Sequence, residues 1–290
     1  TRERGHDWKE RMSADVNAGA ARTGGGRKNS GEEQESWGSF LWFCLKLVIA
    51  VLIFRSFIFS PFTIPSESML PGLRNGDYLV AAKWPYGFSR HSLPGSPDLF
   101  EGRIFGSLPE RGDVAIFKHP VTGDDYVKRV IALPGDTVAM TDGRLTINGE
   151  AVGQAGTAPF DILLSPNTRC HPAGQTIQTP DGAACRYRQS VETMPGGRQY
   201  RLLDFGETVQ DRFEPFVVPE GRLFVMGDNR DNSLDSRFPA VPGGGVGLID
   251  TELLVGRASA VLWSTDGSAE WLLPWTWFTA ARWDRIGTAI

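Results

Sequence analysis

The sequence predicts a mostly β fold that follows a single transmembrane helix near the N-terminus. Glycine and proline are abundant, with 34 and 19 among 290 residues, and both residues are typical of turns. After residue 60, apolar runs of strand length alternate with turn signals such as Pro134-Gly135-Asp136 and Asn148-Gly149. Before residue 60 lies one apolar segment that is long enough for a membrane helix.

The composition argues against several classes of protein. Hydrophobic residues make up 41% of the chain, which is enough for a sizeable core. The formal net charge of −4 comes from 30 basic and 34 acidic residues, so nothing favours a nucleic-acid partner. Three cysteines are too few for a disulfide-dense scaffold. The four histidines are scattered, so we expect no metal site.

Two segments at the N-terminus differ sharply in composition. Residues 1–36 are polar, charged and without periodicity, which predicts a disordered tail. Residues 37–59 are predominantly apolar, with an unbroken apolar run from Leu47 to Phe54. A helix of this length would reach roughly 34 Å, enough to span a bilayer core. The alternatives are a buried core helix and a cleaved signal peptide, but no Ala-x-Ala pattern follows the run.

Basic residues near the span indicate its orientation. Arg22, Arg27 and Lys28 precede it closely, whereas Arg74 and Lys83 are the basic residues that follow at a comparable distance. This bias favours a cytoplasmic tail. The residues after the span would then lie outside the cytoplasm, where disulfides can form.

Five apolar runs beyond the anchor predict β-strands, over residues 77–81, 113–117, 126–133, 222–226 and 257–263. A hairpin is predicted between residues 137–140 and 145–147, because Asp142-Gly143 in the connecting turn is a typical hairpin pair.

Residues 150–218 carry weaker strand signals and are predicted to form an insertion or a secondary domain. They contain Cys170 and Cys185. In an oxidising compartment these two cysteines could close a loop worth about 3 kcal/mol. A zinc site that adds His171 is the alternative, but it would need a fourth ligand and the usual spacing of ligand pairs.

Ser68 is the first candidate for chemistry. It follows Phe59 by nine residues, so it lies within about 30 Å of the bilayer surface, and its substrate is expected at the membrane as well. A serine hydroxyl needs a base before it becomes a good nucleophile. None of the four histidines stands in a convincing Ser-His-Asp arrangement.

Lys128 is the alternative base. In a strand over residues 125–133, Tyr126, Lys128 and Val130 would share one face. Apolar neighbours would lower the pKa of Lys128 from about 10.4 and so let the amine accept a proton. Without further evidence, the same pattern is compatible with Lys128 as a charged residue on an edge strand and with Ser66 and Ser68 as ordinary serines of a turn.

The third cluster is a polar loop from Gly227 to Arg237, directly after a predicted strand. Alternating Asp and Asn side chains could supply oxygen ligands to Ca²⁺. Against calcium, Arg230 and Arg237 compete for the carboxylates, and no Glu stands at the twelfth loop position.

Together these segments resemble the bacterial type I signal peptidases, which are membrane-anchored Ser-Lys serine proteases. The resemblance covers about residues 37–265, and its most specific part is the loop from Gly227 to Arg237. The other matching parts are the anchor, Pro65-Ser-Glu-Ser-Met-Leu-Pro71, Gly76-Asp77, Arg111-Gly-Asp-Val-Ala-Ile-Phe-Lys118 and Asp125-Tyr-Val-Lys-Arg-Val-Ile-Ala-Leu-Pro-Gly-Asp136.

The resemblance implies catalytic roles for four residues and no metal or organic cofactor. Ser68 would be the nucleophile that forms an acyl-enzyme, and Lys128 would be the general base. The Ser68 backbone N–H and the Ser66 hydroxyl would form the oxyanion hole. Ser233 would hydrogen-bond the lysine amine and orient it.

The resemblance also implies substrate pockets and ion pairs. Shallow pockets that accept small side chains, the Ala-x-Ala rule, would be walled by Phe62, Ile64, Met69, Tyr126 and Val127. Ion pairs that hold the last motif against the lysine strand would involve Arg129, Asp228, Asp235 and Arg237.

The implied architecture is one transmembrane helix followed by two antiparallel β-sheet domains. Residues 60–140 and 220–290 would form the catalytic core, and residues 141–219 an inserted second domain. The implied setting is the inner (cytoplasmic) membrane, with the catalytic domain on the periplasmic side. The implied partners are the phospholipid bilayer and preproteins whose signal peptides emerge from the secretion translocase.

Two departures from the family pattern concern the nucleophile's turn. Glu67 stands where family members often have Gly, and Gly72 where Thr is frequent. The Glu67 carboxylate could face solvent, or it could disfavour a nearby oxyanion. Separately, the tryptophan-rich stretch 271–278 could dock on the bilayer interface or pack under the sheet.

Two rival functions are compatible with parts of the pattern. One is a relative that matures a single substrate, such as a conjugative pilin. The other is an inactive, anchored binding protein on the same scaffold, which would be expected to have lost Ser68 or Lys128.

Overall fold

The computed structural model describes residues 37–270 and 272–290. The predicted disordered tail, residues 1–36, therefore lies outside the described residues. Two compact units divide after Leu47. The described part of the first unit is helical, and every strand in the described residues lies in the second unit.

One long apolar helix, α1 (Trp37–Phe57), occupies the predicted anchor. It is long and apolar enough to cross a membrane, and its apolar side chains are exposed. It ends before the predicted residue 59, because Phe59 already pairs in the first strand. A second helix, α2 (Pro274–Thr279), is short and has proline in its first turn, where proline is tolerated.

Seventeen strands in the described part of the chain confirm the mostly β class. Their bounds are β1 (Phe59–Thr63), β2 (Asp77–Ala82), β3 (Val114–Lys118), β4 (Asp125–Ala132), β5 (Thr137–Thr141), β6 (Arg144–Ile147), β7 (Glu150–Ala151), β8 (Gly153–Gly156), β9 (Phe160–Leu163), β10 (Gln175–Thr179), β11 (Gly182–Tyr187), β12 (Gln189–Thr193), β13 (Gln199–Leu203), β14 (Phe213–Val217), β15 (Arg222–Met226), β16 (Ile249–Asp250) and β17 (Leu254–Ser264).

The strands form four antiparallel sheets. The largest has the order β1-β2-β17-β3-β4-β15-β16, and a second has the order β14-β5-β6-β7. Two three-stranded sheets have the orders β10-β11-β9 and β13-β12-β8. The five predicted strands correspond to β2, β3, β4, β15 and β17, and the predicted hairpin to β5 and β6. Strands β6 to β14 lie in the segment 141–219, whose standing as a separate domain stays a prediction.

The core of the seven-stranded sheet fixes the turn that follows β1. Ile64, Met69 and Leu73 of this turn are buried in a cluster with Leu79 and Ile116. Ser68 is the neighbour of Met69, so burial of that methionine holds the serine at the edge of the core. Strand β4 lies between β3 and β15 and is thus an interior strand of the same sheet.

Cys170 and Cys185 are joined by a disulfide. Cys185 is completely buried, in a cluster that includes Ile162 and Tyr187. The disulfide uses both sulfurs that the alternative zinc site would need.

The tryptophan-rich stretch lies partly outside the described residues, because Trp271 is one of the residues that are not described. Trp275 and Phe278 are both 65% exposed, so these two side chains do not pack under the sheet. The proposed contact with a bilayer interface stays a prediction.

Candidate active site

Ser68 and Lys128 meet although they are 60 residues apart in sequence. Lys128 Nζ lies 2.6 Å from Ser68 Oγ and donates a hydrogen bond to it. Lys128 is only 4% exposed and Ser68 9%. The turn after β1 supplies the hydroxyl, and the interior strand β4 supplies the amine. This pairing is the contact that a lysine base and a serine nucleophile require.

The surroundings of Lys128 favour its neutral form. Burial lowers the pKa of Lys128 to about 8, because the ammonium loses its hydration. The carboxylates of Asp235 and Asp228 oppose this shift, and the Arg237 guanidinium adds to it. At mildly alkaline pH much of the amine is therefore neutral, with a lone pair that can take the Ser68 proton.

Two donors stand where an oxyanion could be stabilised. Ser66 Oγ lies 3.3 Å from Ser68 Oγ, and Ser66 is exposed. Among the described residues, the Ser68 backbone N–H has no hydrogen-bond acceptor. Both groups can therefore donate to an incoming substrate oxygen.

The loop from Gly227 to Arg237 holds the backbone around Ser68. The Asn229 backbone N–H donates to the Ser68 carbonyl at 3.1 Å, and the Asn229 amide donates to the Glu67 carbonyl at 3.1 Å. At Gly227 a Cβ atom would lie 2.5 Å from the Ser68 carbonyl oxygen and 2.3 Å from Ser233 Oγ. Any side chain at Gly227 would therefore displace the nucleophile's turn.

The four residues expected in ion pairs form two of them. Arg129 of β4 binds Asp228 through two hydrogen bonds of 2.7 and 2.6 Å, which ties the loop to the lysine strand. Arg237 binds Asp235 within the loop, with Nε 2.9 Å from Oδ1. These contacts engage two of the carboxylates that the alternative calcium site would use.

A further buried network was not foreseen from the sequence. Glu192 of β12 binds Arg230 through two hydrogen bonds of 2.9 and 2.5 Å, and Tyr200 donates to Glu192. The Arg129 guanidinium lies 4.1 Å from the centre of the Tyr200 ring. Burial alone would lower the pKa of Arg230, but the Glu192 carboxylate reverses this and raises it. No motif marks Glu192, so only the fold brings it to the loop.

A cavity of about 570 Å³ opens onto Ser68 and Lys128. Four of the five expected pocket residues line it, namely Ile64, Met69, Tyr126 and Val127. Phe62 is not among the described residues that line the cavity, and its partly buried side chain packs against the core of the seven-stranded sheet. Sequence reasoning did not place Asp124, Leu234 and Phe238 there, although they line the same cavity.

Ser233 lines the cavity but does not make the expected hydrogen bond to Lys128. Its hydroxyl is buried and has no hydrogen-bond partner among the described residues. The Lys128 amine is instead directed at Ser68. The orienting role of Ser233 therefore stays a prediction.

Comparison with known proteins identifies the family. The sequence profile described as "Signal peptidase, peptidase S26" matches residues 37–263. The chain belongs to the signal peptidase family. The signal peptidase I of Rickettsia massiliae (strain Mtu5) is 33% identical over 243 residues, which covers 80% of each chain. That of Rickettsia akari (strain Hartford) is 33% identical over 247 residues, which covers 82% of each chain.

A solved structure of a signal peptidase I, from Enterococcus faecalis V583, is 23% identical and covers 53% of this chain and 98% of that chain. The TM-score of that comparison is 0.28. Membership of the signal peptidase family confirms the resemblance that the sequence motifs indicated. Together with helix α1, it indicates a membrane-anchored protein.

This signal peptidase family member contains a second lysine with a lowered pKa. Burial, reinforced by the nearby Arg55 guanidinium, lowers the pKa of Lys83 to about 8. The Lys83 amine donates to the Ser92 backbone carbonyl and does not line the cavity that contains Ser68. Lys83 is therefore a matched comparison for Lys128, with a similarly lowered pKa but with a backbone carbonyl instead of a serine hydroxyl as its hydrogen-bond acceptor.

Proposed function

We propose that the chain is a signal peptidase I that removes N-terminal signal peptides from secreted preproteins by cutting after small residues. The observation that carries the proposal is the 2.6 Å contact between Lys128 Nζ and Ser68 Oγ at the wall of the cavity. Family membership supplies the reaction class, and this contact supplies a nucleophile and its base.

The proposed reaction begins when neutral Lys128 takes the Ser68 proton and Ser68 Oγ attacks the scissile carbonyl carbon. The Ser68 N–H and the Ser66 hydroxyl stabilise the oxyanion that forms. The Lys128 ammonium then gives its proton to the leaving amine, and the signal peptide remains as an ester on Ser68. Water, deprotonated by Lys128, hydrolyses the ester and restores the serine.

Substrate selection is proposed to follow from the cavity walls. Ile64 and Met69 are buried, and Tyr126 and Val127 are partly buried, so they form apolar surfaces close to Ser68. Such walls accept alanine at the first and third positions before the cut and reject bulky side chains by steric clash.

The proposed location is the inner (cytoplasmic) membrane, crossed once by α1, with the N-terminal tail in the cytoplasm. The catalytic domain would lie on the periplasmic side, and the protein's partners would be the phospholipid bilayer and preproteins that leave the secretion translocase. The Cys170–Cys185 disulfide supports this orientation, because disulfides persist in oxidising compartments.

The full chain, purified in detergent, tests the proposal on a preprotein with an Ala-x-Ala junction. We expect a product whose N-terminus follows the second alanine. Ser68→Ala should lower kcat/KM by at least about 10³-fold, whereas the exposed control Ser268→Ala should retain it. For a substrate with leucine at the last position before the cut, kcat/KM should be about 10²-fold lower. Undiminished cleavage by Ser68→Ala, or a product that begins elsewhere, would contradict the proposal.

A further inference from the structure

The Glu67 side chain is directed at the segment that carries the disulfide. Its half-buried carboxylate lies close to the Arg169 backbone N–H and to the His171 ring. Ser66 and Ser68, its two neighbours, both line the cavity, but Glu67 does not. The carboxylate therefore belongs to the contact with residues 169–171 and not to the substrate cavity.

The segment that Glu67 faces is held in place by a disulfide. Arg169 immediately precedes Cys170, whose sulfur is bonded to the completely buried Cys185 of β11. Gly174 packs against the same bond, since a Cβ atom there would lie 2.4 Å from Cys185 Sγ and 3.1 Å from Cys170 Sγ. The Arg169 N–H therefore faces Glu67 from the residue next to the disulfide.

A second contact joins the nucleophile's turn to the disulfide. Leu70 is only 2% exposed and packs in one apolar cluster with Cys185, Ile162 and Leu203. Residues on both sides of Ser68 therefore contact the disulfide-bearing part of the chain, Leu70 by packing against Cys185 and Glu67 by its approach to the Arg169 backbone N–H.

We propose that Glu67 and the Cys170–Cys185 disulfide are positioning groups for the reaction. They hold the turn from Ser66 to Leu70 so that the Ser68 hydroxyl meets Lys128 and both oxyanion donors face the cavity. This inference rests on the proposed function. Because displacements well below 1 Å weaken nucleophilic attack and oxyanion stabilisation, loosening the turn should act on kcat.

The first test compares three variants of the full chain in detergent. Glu67→Ala should lower kcat about tenfold and change KM by less than about twofold, since the cavity walls are untouched. Glu67→Gln keeps a carbonyl oxygen as acceptor for the Arg169 N–H and should restore kcat to within about twofold of the parent. Glu150→Ala removes an exposed carboxylate in β7 and should leave both constants unchanged.

The second test removes the disulfide. Cys170→Ala with Cys185→Ala should lower kcat about as much as Glu67→Ala does. Adding Glu67→Ala to the pair should lower kcat by less than about a further twofold, because both changes loosen the same turn. If the cysteine pair does not fold, the folded parent is reduced with dithiothreitol, its free thiols are counted by alkylation, and the same kcat loss is expected.

The possible outcomes separate the two proposals. Cleavage by the parent with kcat unchanged in Glu67→Ala overturns the positioning role alone. A higher kcat in Glu67→Gln also overturns it, because the carboxylate would then act directly on the oxyanion. If the kcat losses of Glu67→Ala and of the cysteine pair multiply in the combined variant, the two changes act independently. That result would overturn the proposal that Glu67 and the disulfide hold the same turn. If the parent does not cleave, the proposed function fails and the inference fails with it.

Discussion

Replacement of Lys128 with methionine is expected to lower kcat/KM by about 10⁴-fold or more without unfolding the protein. Methionine has a similar length and no charge, so it suits a side chain that is 4% exposed on an interior strand. It has no amine to take the Ser68 proton at 2.6 Å. Cleavage of an Ala-x-Ala preprotein by the purified full chain measures the loss.

Two companion variants make this result specific. Lys128→Arg keeps a cation but should be equally inactive, because a guanidinium cannot be deprotonated in a protein. Lys83→Met removes the other buried lysine with a pKa of about 8 and should retain kcat/KM within about threefold. Loss of activity in Lys83→Met equal to that in Lys128→Met would mean that the site has been assigned to the wrong lysine.

Glu192→Gln is expected to cost roughly 3–5 kcal/mol of unfolding free energy, the largest loss of stability that we expect from one substitution. The side chains of Glu192 and Arg230 are each 1% exposed, and the Glu192 carboxylate, through two hydrogen bonds, balances the charge of the buried guanidinium. Removal of the carboxylate charge leaves Arg230 buried without the carboxylate that is hydrogen-bonded to it. Urea-induced unfolding of the full chain in a neutral detergent measures the change.

A matched ion pair at the surface is the control. Asp161→Asn removes a carboxylate that also binds an arginine, Arg186, through two hydrogen bonds of 2.7 Å, but both side chains are exposed. Water replaces the lost partner there, so the unfolding midpoint should hardly move. Equal shifts in Glu192→Gln and Asp161→Asn would contradict the structural role of the buried network. Replacing Glu192 and Arg230 together with leucine and methionine should recover most of the loss.

The elements of the fold were largely predictable because their signals are local. Five apolar runs became β2, β3, β4, β15 and β17, and Asp142-Gly143 marked the hairpin turn. The order β1-β2-β17-β3-β4-β15-β16 is set by long-range pairing, which leaves no local trace in the sequence. The early end of α1 likewise depends on the pairing of Phe59 with Ala82.

The residues of the site also fall into two groups, those that a local motif marks and those that only the fold brings there. Ser68, Lys128 and the loop from Gly227 to Arg237 carry motifs, so the sequence led to them directly. Glu192 carries none, and its contact with Arg230 arises only when β12 packs against the loop. The direction of Glu67, open in the sequence, depends on the position of the Arg169 backbone N–H.

The central claim is that a neutral Lys128 activates Ser68, and the pH dependence of kcat/KM for the purified full chain tests it most directly. The pKa of Lys128 is lowered, so its base form grows as pH rises. We therefore expect kcat/KM to rise about tenfold per pH unit at low pH and to level off above about pH 8. The profile should be unchanged in Lys83→Met. A profile that is flat from pH 6 to 10, or one that levels off only near the ordinary lysine pKa of about 10.4, would contradict the account.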